Sequence, residues 1–88
     1  MIIGYKIKLD TLEKVKRFTS KIETFTNDID IMCGRYVVNA KSVIAIFSLD
    51  LTSVLKVIIH DATLSDVAKF EKVMEEFRID EIWKYKSL

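Results

Sequence analysis

The sequence predicts an α+β domain in which helices cover one face of an antiparallel sheet, in the order βαββαβα. Three observations predict it. Apolar and polar residues alternate in IIGYKIKL, DIDIMC and SVLKVIIH, the period-two pattern of half-buried strands. The apolar spacing lengthens to a helical period after Asp10 and again after Thr63. Gly34-Arg35 separates two strand-like runs, which puts a tight antiparallel hairpin in the middle of the chain.

The first strand turns Ile3, Tyr5, Ile7 and Leu9 to one side and Lys6 and Lys8 to the other. In the helix that follows, Leu12, Val15, Phe18, Ile22 and Phe25 share a face, with Glu13, Lys14, Arg17 and Lys21 elsewhere. Either Asp10 or Thr11 serves as its cap, and Asp10 with Glu13 has the spacing of a capping box. In the second strand Ile29, Ile31 and Cys33 point inward while Asp28, Asp30 and Met32 point outward. YVVN returns as the other half of the hairpin, and a short apolar helix runs from Ser42 to about Leu49. Leu55, Val57 and Ile59 define one face of the next strand. A long helix then carries Leu64, Val67, Met74 and Phe77 near one stripe, with Thr63 and Asp66 at capping distance. The tail RIDEIWKYKSL keeps a helix-like composition, with Trp83 and Tyr85 placed to fold back on the domain.

The chain has 88 residues, half of them hydrophobic and 31% charged, which suits one core and a single domain over residues 1–88, with 79–88 as an extension. A net charge of +1 provides no basic field for nucleic acid or an anionic membrane, so the expected partners are proteins. The lone Cys33 has no intramolecular partner, and MIIGYKIKLD lacks the plan of a secretory signal, so a reducing cytoplasm is the default expectation. Lys41, Asp50 and Lys56 interrupt the most apolar half, so no run is long enough for membrane insertion.

Two stretches carry a family resemblance. VNAKSVIAIFSL, residues 38–49, is similar to the regulatory serine segment VNxKSIMGxMSL of the histidine-containing phosphocarrier family HPr of the bacterial sugar phosphotransferase system. RFTSKIETFTNDIDIM resembles the end of that family's first helix and its second strand. The resemblance spans roughly residues 3–78. It implies an open-faced β-sandwich with a four-stranded antiparallel sheet and three helices on one side. A ferredoxin-like βαββαβ domain shares the order of elements, but its second helix is normally long and amphipathic. The short apolar second helix here favours the HPr-like arrangement.

The family's chemistry uses a histidine at the start of the first helix, in a Gly-Leu-His-Ala-Arg-Pro type motif. An imidazole nitrogen accepts phosphate there, and helix N-H groups and the arginine hold it. The matching stretch here is LDTLEKVKR, which aligns Thr11 with the histidine, Leu12 with the alanine, Glu13 with the arginine and Lys14 with the proline. A threonine phosphate ester lacks the transfer potential of phosphohistidine, and Glu13 repels a phosphate. Thr11 otherwise reads as a helix cap. The sole histidine, His60, ends the fourth strand; Asp61 and Cys33 near it have no recognisable metal-ligand spacing, so no metal or cofactor is expected.

By the resemblance, Ser42 stands at the regulatory serine, a site of kinase phosphorylation in some bacteria; as a plain helix cap it is equally accounted for. Val43, Ile44, Ile46 and Phe47 lie too close together for a short helix to turn all of them inward. The resemblance puts Ile44 and Phe47, beside Val43, where the family docks partner proteins, and Ala45 replaces its glycine. The other reading buries this helix beneath the tail, with Trp83 as its lid.

The sequence therefore points to a binding or regulatory module rather than an enzyme, similar in logic to Crh-type paralogues that act through a phosphoserine on a transcriptional regulator. Its expected partners are a phosphotransferase-system component, HPr kinase or such a regulator. The alternatives are a divergent phosphocarrier still acting in phosphoenolpyruvate-dependent transfer, and a structural module recruited as a subunit.

Overall fold

The structure, a computed structural model, describes the backbone of residues 2–87 and the side chains of residues 2–79. Its elements are β1 (Ile2–Ile7), α1 (Leu12–Ile22), β2 (Ile29–Cys33), β3 (Tyr36–Asn39), α2 (Val43–Phe47), β4 (Leu55–Ile59), α3 (Leu64–Met74) and β5 (Arg78–Ser87). The strands form one antiparallel sheet in the order β3-β2-β4-β1-β5, with the three helices on one face.

The alternation read from sequence sets the sheet's inner face. Ile3, Tyr5 and Ile7 of β1, Ile29 and Ile31 of β2, and Leu55, Val57 and Ile59 of β4 are all buried. Register aligns them in rows, with Ile3 opposite Ile59 and Ile59 opposite Ile29. Val15, Phe18 and Ile22 of α1, Ile46 of α2, and Phe70 and Met74 of α3 close the core from above. Phe18 meets Phe77 edge-on at 5.4 Å, and Phe25 meets Phe70 edge-on at 5.9 Å, arrangements that suit the ring quadrupoles. Cys33 is half-buried against this core.

The hairpin turn rests on Gly34, whose φ of +60° lies in the left-handed region that glycine enters at least cost. At α3 the expected capping box forms in full: the Asp66 N–H donates to Thr63 Oγ1 at 3.1 Å, and the Thr63 N–H donates to Asp66 Oδ2 at 3.0 Å.

Four expectations need correction. The tail is a strand, β5, so the sheet has five strands instead of four and the order gains a final β. Asp10 makes no capping box; Thr11 caps α1, and Asp10 pairs with Lys14 Nζ at 2.9 Å. The apolar stripes stop short at their first residues, because Leu12 and Leu64 sit in the opening turns, beyond the sheet's cover, and are 54% and 77% exposed. Finally, α2 ends at Phe47. The Trp83 side chain lies outside the described residues, so the lid assigned to it does too.

Candidate functional site

Ser42 is the N-cap of α2: its backbone is extended (φ −98°, ψ 106°) and its Oγ accepts from the Ala45 N–H at 3.2 Å. The cap fixes which way this single turn of helix faces. Ile46 goes down into the core, fully buried, and supplies the helix's anchor. Its neighbours turn the other way, so Ile44 is 85% exposed and Val43 and Phe47 are 40% and 46% exposed. Five residues cannot bury four large apolar groups on one side. The three outward side chains form an apolar surface on the helix layer.

Lys41, one residue before the cap, donates from Nζ to the Phe25 carbonyl at 2.7 Å. This ties the start of α2 to the far end of α1. Ser42, Val43, Ile44 and Phe47 thus share one short element, while Thr11 and Glu13 stand at the start of α1.

At the other end of α1, Thr11 has extended backbone (φ −132°, ψ 154°), and its Oγ1 accepts from the Lys14 N–H at 3.1 Å. Acids flank this cap. Glu13 stands in the first turn with its side chain 87% exposed, 3.9 Å from Arg17. The hydrogen bond from Lys14 holds the Asp10 carboxyl below its ordinary range, so it is ionised at neutral pH. Arg17 is engaged by Glu76 at 3.1 Å. Each of the two carboxylates beside the cap thus has a cation near it, Lys14 at Asp10 and Arg17 at Glu13.

His60 lies at the opposite end of the sheet. In the β1–β4 register Ile7 lies opposite Leu55 and Ile3 opposite Ile59, so the His60 end of the sheet is about 13 Å from the end that leads to Thr11. There His60 Nε2 and Asp30 Oδ2 are 2.9 Å apart, half-exposed, joining the ends of β4 and β2. Asp30 is therefore a partner of His60, beyond its expected place on the solvated face. Asn27 closes the same corner, its amide donating to the carbonyls of His60 (3.0 Å) and Asp61 (3.2 Å) and to Asp66 Oδ2 (3.2 Å). Among the described residues no cluster of His, Cys, Asp and Glu is arranged to hold a metal ion. No helix among them is long and apolar enough to cross a membrane.

One feature of the surface escaped the sequence reading. Tyr36 and Val37 on β3 are 67% and 56% exposed, at the open edge of the sheet. Beside them Cys33, Val38 and Leu49 line a shallow apolar cleft between β3 and the end of α2. The signal was present in YVVN, a strand run without a charge or a proline.

A sheet of order β3-β2-β4-β1 with three helices on one face is an HPr-like open-faced sandwich, here extended by β5. Solved structures of that class match the chain. A phosphocarrier protein HPr from Bacillus anthracis str. Ames superposes with a TM-score of 0.66 at 19% identity, over 89% of this chain and 96% of that one. HPr-C-His from Thermoanaerobacter tengcongensis gives 0.64 at 19% identity, over 85% and 88%. No family model matches the chain, and no curated protein matches it significantly in sequence. At this identity the likeness is one of fold.

Proposed function

We propose that this chain is an HPr-like protein-binding module that docks a protein partner through Val43, Ile44 and Phe47 and does not carry phosphate on histidine. The observation that supports it is the outward turn of Ile44, 85% exposed only two residues from the fully buried Ile46. An isoleucine left in solvent contributes little to folding. The cap at Thr11, with Asp10 and Glu13 beside it, favours the absence of phosphotransfer, as does the distance of His60 from that end.

Regulation through Ser42 is the second half of the proposal. A phosphate there brings about −1.5 to −2 charges to the rim of the apolar surface and changes which partner fits it. The partner class is a phosphotransferase component or a transcriptional regulator, with HPr kinase acting on the serine, in a bacterial cytoplasm.

Affinity capture from the host with the wild type, Ile44→Asp and Phe47→Asp as baits tests the docking face. The expected result is one partner lost in both variants while far-UV circular dichroism stays unchanged. Capture of the same partner by all three baits overturns the reading. Incubation with HPr kinase and ATP should add one phosphate at Ser42 by mass spectrometry; an unmodified Ser42 removes the regulatory half. Acid-labile phosphate after incubation with phosphoenolpyruvate and the system's first enzyme would instead establish the divergent phosphocarrier.

A further inference from the structure

The two edges of the sheet are built differently. β5 occupies one flank of β1, whereas nothing among the described residues pairs with the outer flank of β3. The direction of each β3 backbone group follows from one hydrogen bond, the Ala40 N–H donating to the Ile29 carbonyl at 2.8 Å. Antiparallel ladders alternate between bonded and non-bonded pairs. Ile29/Ala40 being bonded, Ile31/Val38 and Cys33/Tyr36 are bonded too, while Asp30/Asn39 and Met32/Val37 are not. The N–H and C=O groups of Val37 and Asn39 therefore point out of the sheet. The Asn39 carbonyl is already used, accepting from the Ser42 N–H at 3.1 Å. What remains for an incoming strand is both groups of Val37, the N–H of Asn39 and the carbonyl of Arg35, which points outward because the Tyr36 N–H of the same trans peptide points to β2.

We propose that this edge pairs with a second copy of itself, antiparallel, about a two-fold axis at Val37. The free groups fit that occupant. On the axis, the N–H and C=O of Val37 meet the C=O and N–H of the second copy's Val37. Two residues along, the Asn39 N–H faces the carbonyl of the second copy's Arg35. The side chains agree with the same register. Tyr36 lies opposite the second copy's Val38, an aromatic and β-branched pair of the kind that stabilises sheets, on the side of the apolar cleft.

Charge agrees as well. Arg35 faces the second copy's Asn39, so no like charges oppose each other, and a net charge of +1 gives the two copies little mutual repulsion. Edge strands of monomeric proteins commonly carry a lysine, a proline or a bulge that prevents such pairing. Tyr36–Asn39 carries none of the three, and its ladder with β2 runs without a register shift. A contact four residues long buries much less than the roughly 1,200 Å² of a standard interface. Association is accordingly weak.

Sedimentation equilibrium of the full chain between about 10 µM and 1 mM tests the pairing. The expected result is a concentration-dependent dimer in the wild type and in Ile44→Asp, and at least a tenfold weaker one in Val37→Lys, which puts two lysines face to face on the axis. Val37 is 56% exposed, so that variant keeps its fold, as circular dichroism will verify. A second measurement reads the register. In a Cys33→Ser background, Val37→Cys should be joined to its counterpart by a short thiol-reactive cross-linker, because bonded pairs set Cα atoms about 5.5 Å apart. Asn39→Cys should not, since the axis separates the two copies of residue 39 by about 13 Å. A monomer throughout the range, a dimer unaffected by Val37→Lys or abolished by Ile44→Asp, or cross-linking at residue 39 in preference to 37 overturns the proposal.

Discussion

Two isoleucines of α2, separated by Ala45, face opposite environments, and substitution should tell them apart. Ile46 is fully buried and Ile44 is 85% exposed. Ile46→Ala leaves a cavity and should cost about 2–5 kcal/mol in urea unfolding, while Ile44→Ala should stay within about 0.5 kcal/mol. Equal costs would mean that Ile44 is covered in the folded protein, contrary to the docking surface. The sequence made the crowding of Val43, Ile44, Ile46 and Phe47 plain, because no single turn of helix can bury them all. It did not reveal which would be the anchor, since that depends on how Lys41 and the Ser42 cap aim the turn. The pairing of His60 with Asp30 was equally hidden. They are thirty residues apart and meet only through the β2–β4 register.

At the scale of elements, α3 and its capping box link stability to pH. The Thr63 backbone N–H and then the Asn27 amide hold the Asp66 carboxyl below its ordinary range. Glu76 is lowered too, first by Lys21 and then by Arg17. A carboxylate whose folded pKa is depressed adds stability above its unfolded value and loses that contribution as pH falls through the folded value. The thermal midpoint should therefore be flat near neutrality and fall below about pH 4, and Asp66→Asn should flatten that fall. Thr63→Ala removes the reciprocal bond and should cost about 1 kcal/mol at pH 7 by urea titration. This cap was legible from Thr63 and Asp66 alone. The cap of α1 was legible only as a choice between Asp10 and Thr11, because Lys14 competes for the carboxylate.

For the whole molecule, the layered α+β arrangement followed from alternation and helical period, and four strands and three helices fell where those patterns put them. The fifth strand did not, for a reason visible in its pairing. Tyr5 is opposite Lys84 but Lys6 is opposite Asp80, so residues 81–83 sit outside the ladder and interrupt the alternation. The spacing left behind, Ile79 followed by Ile82 and Trp83, imitates a helix. Every core residue among those described lies at or before Phe77, whose carbonyl accepts the Lys8 N–H at 3.1 Å. A chain ending at Phe77 should accordingly fold into the four-stranded sandwich with a lower thermal midpoint, as circular dichroism would report. Failure to fold would make β5 part of the core instead of an addition to it.

The same pairing has a mechanical meaning. Ile2 lies opposite Ser87, so the first and last strands begin their contact side by side. Force applied between residues 2 and 87 loads the β1–β5 hydrogen bonds one after another, as in a zipper, and not together, as in shear. β5 should peel away at low force as far as the Tyr5–Lys84 pair, pause where the register shifts, and only then transmit tension to β4 and the body of the sheet.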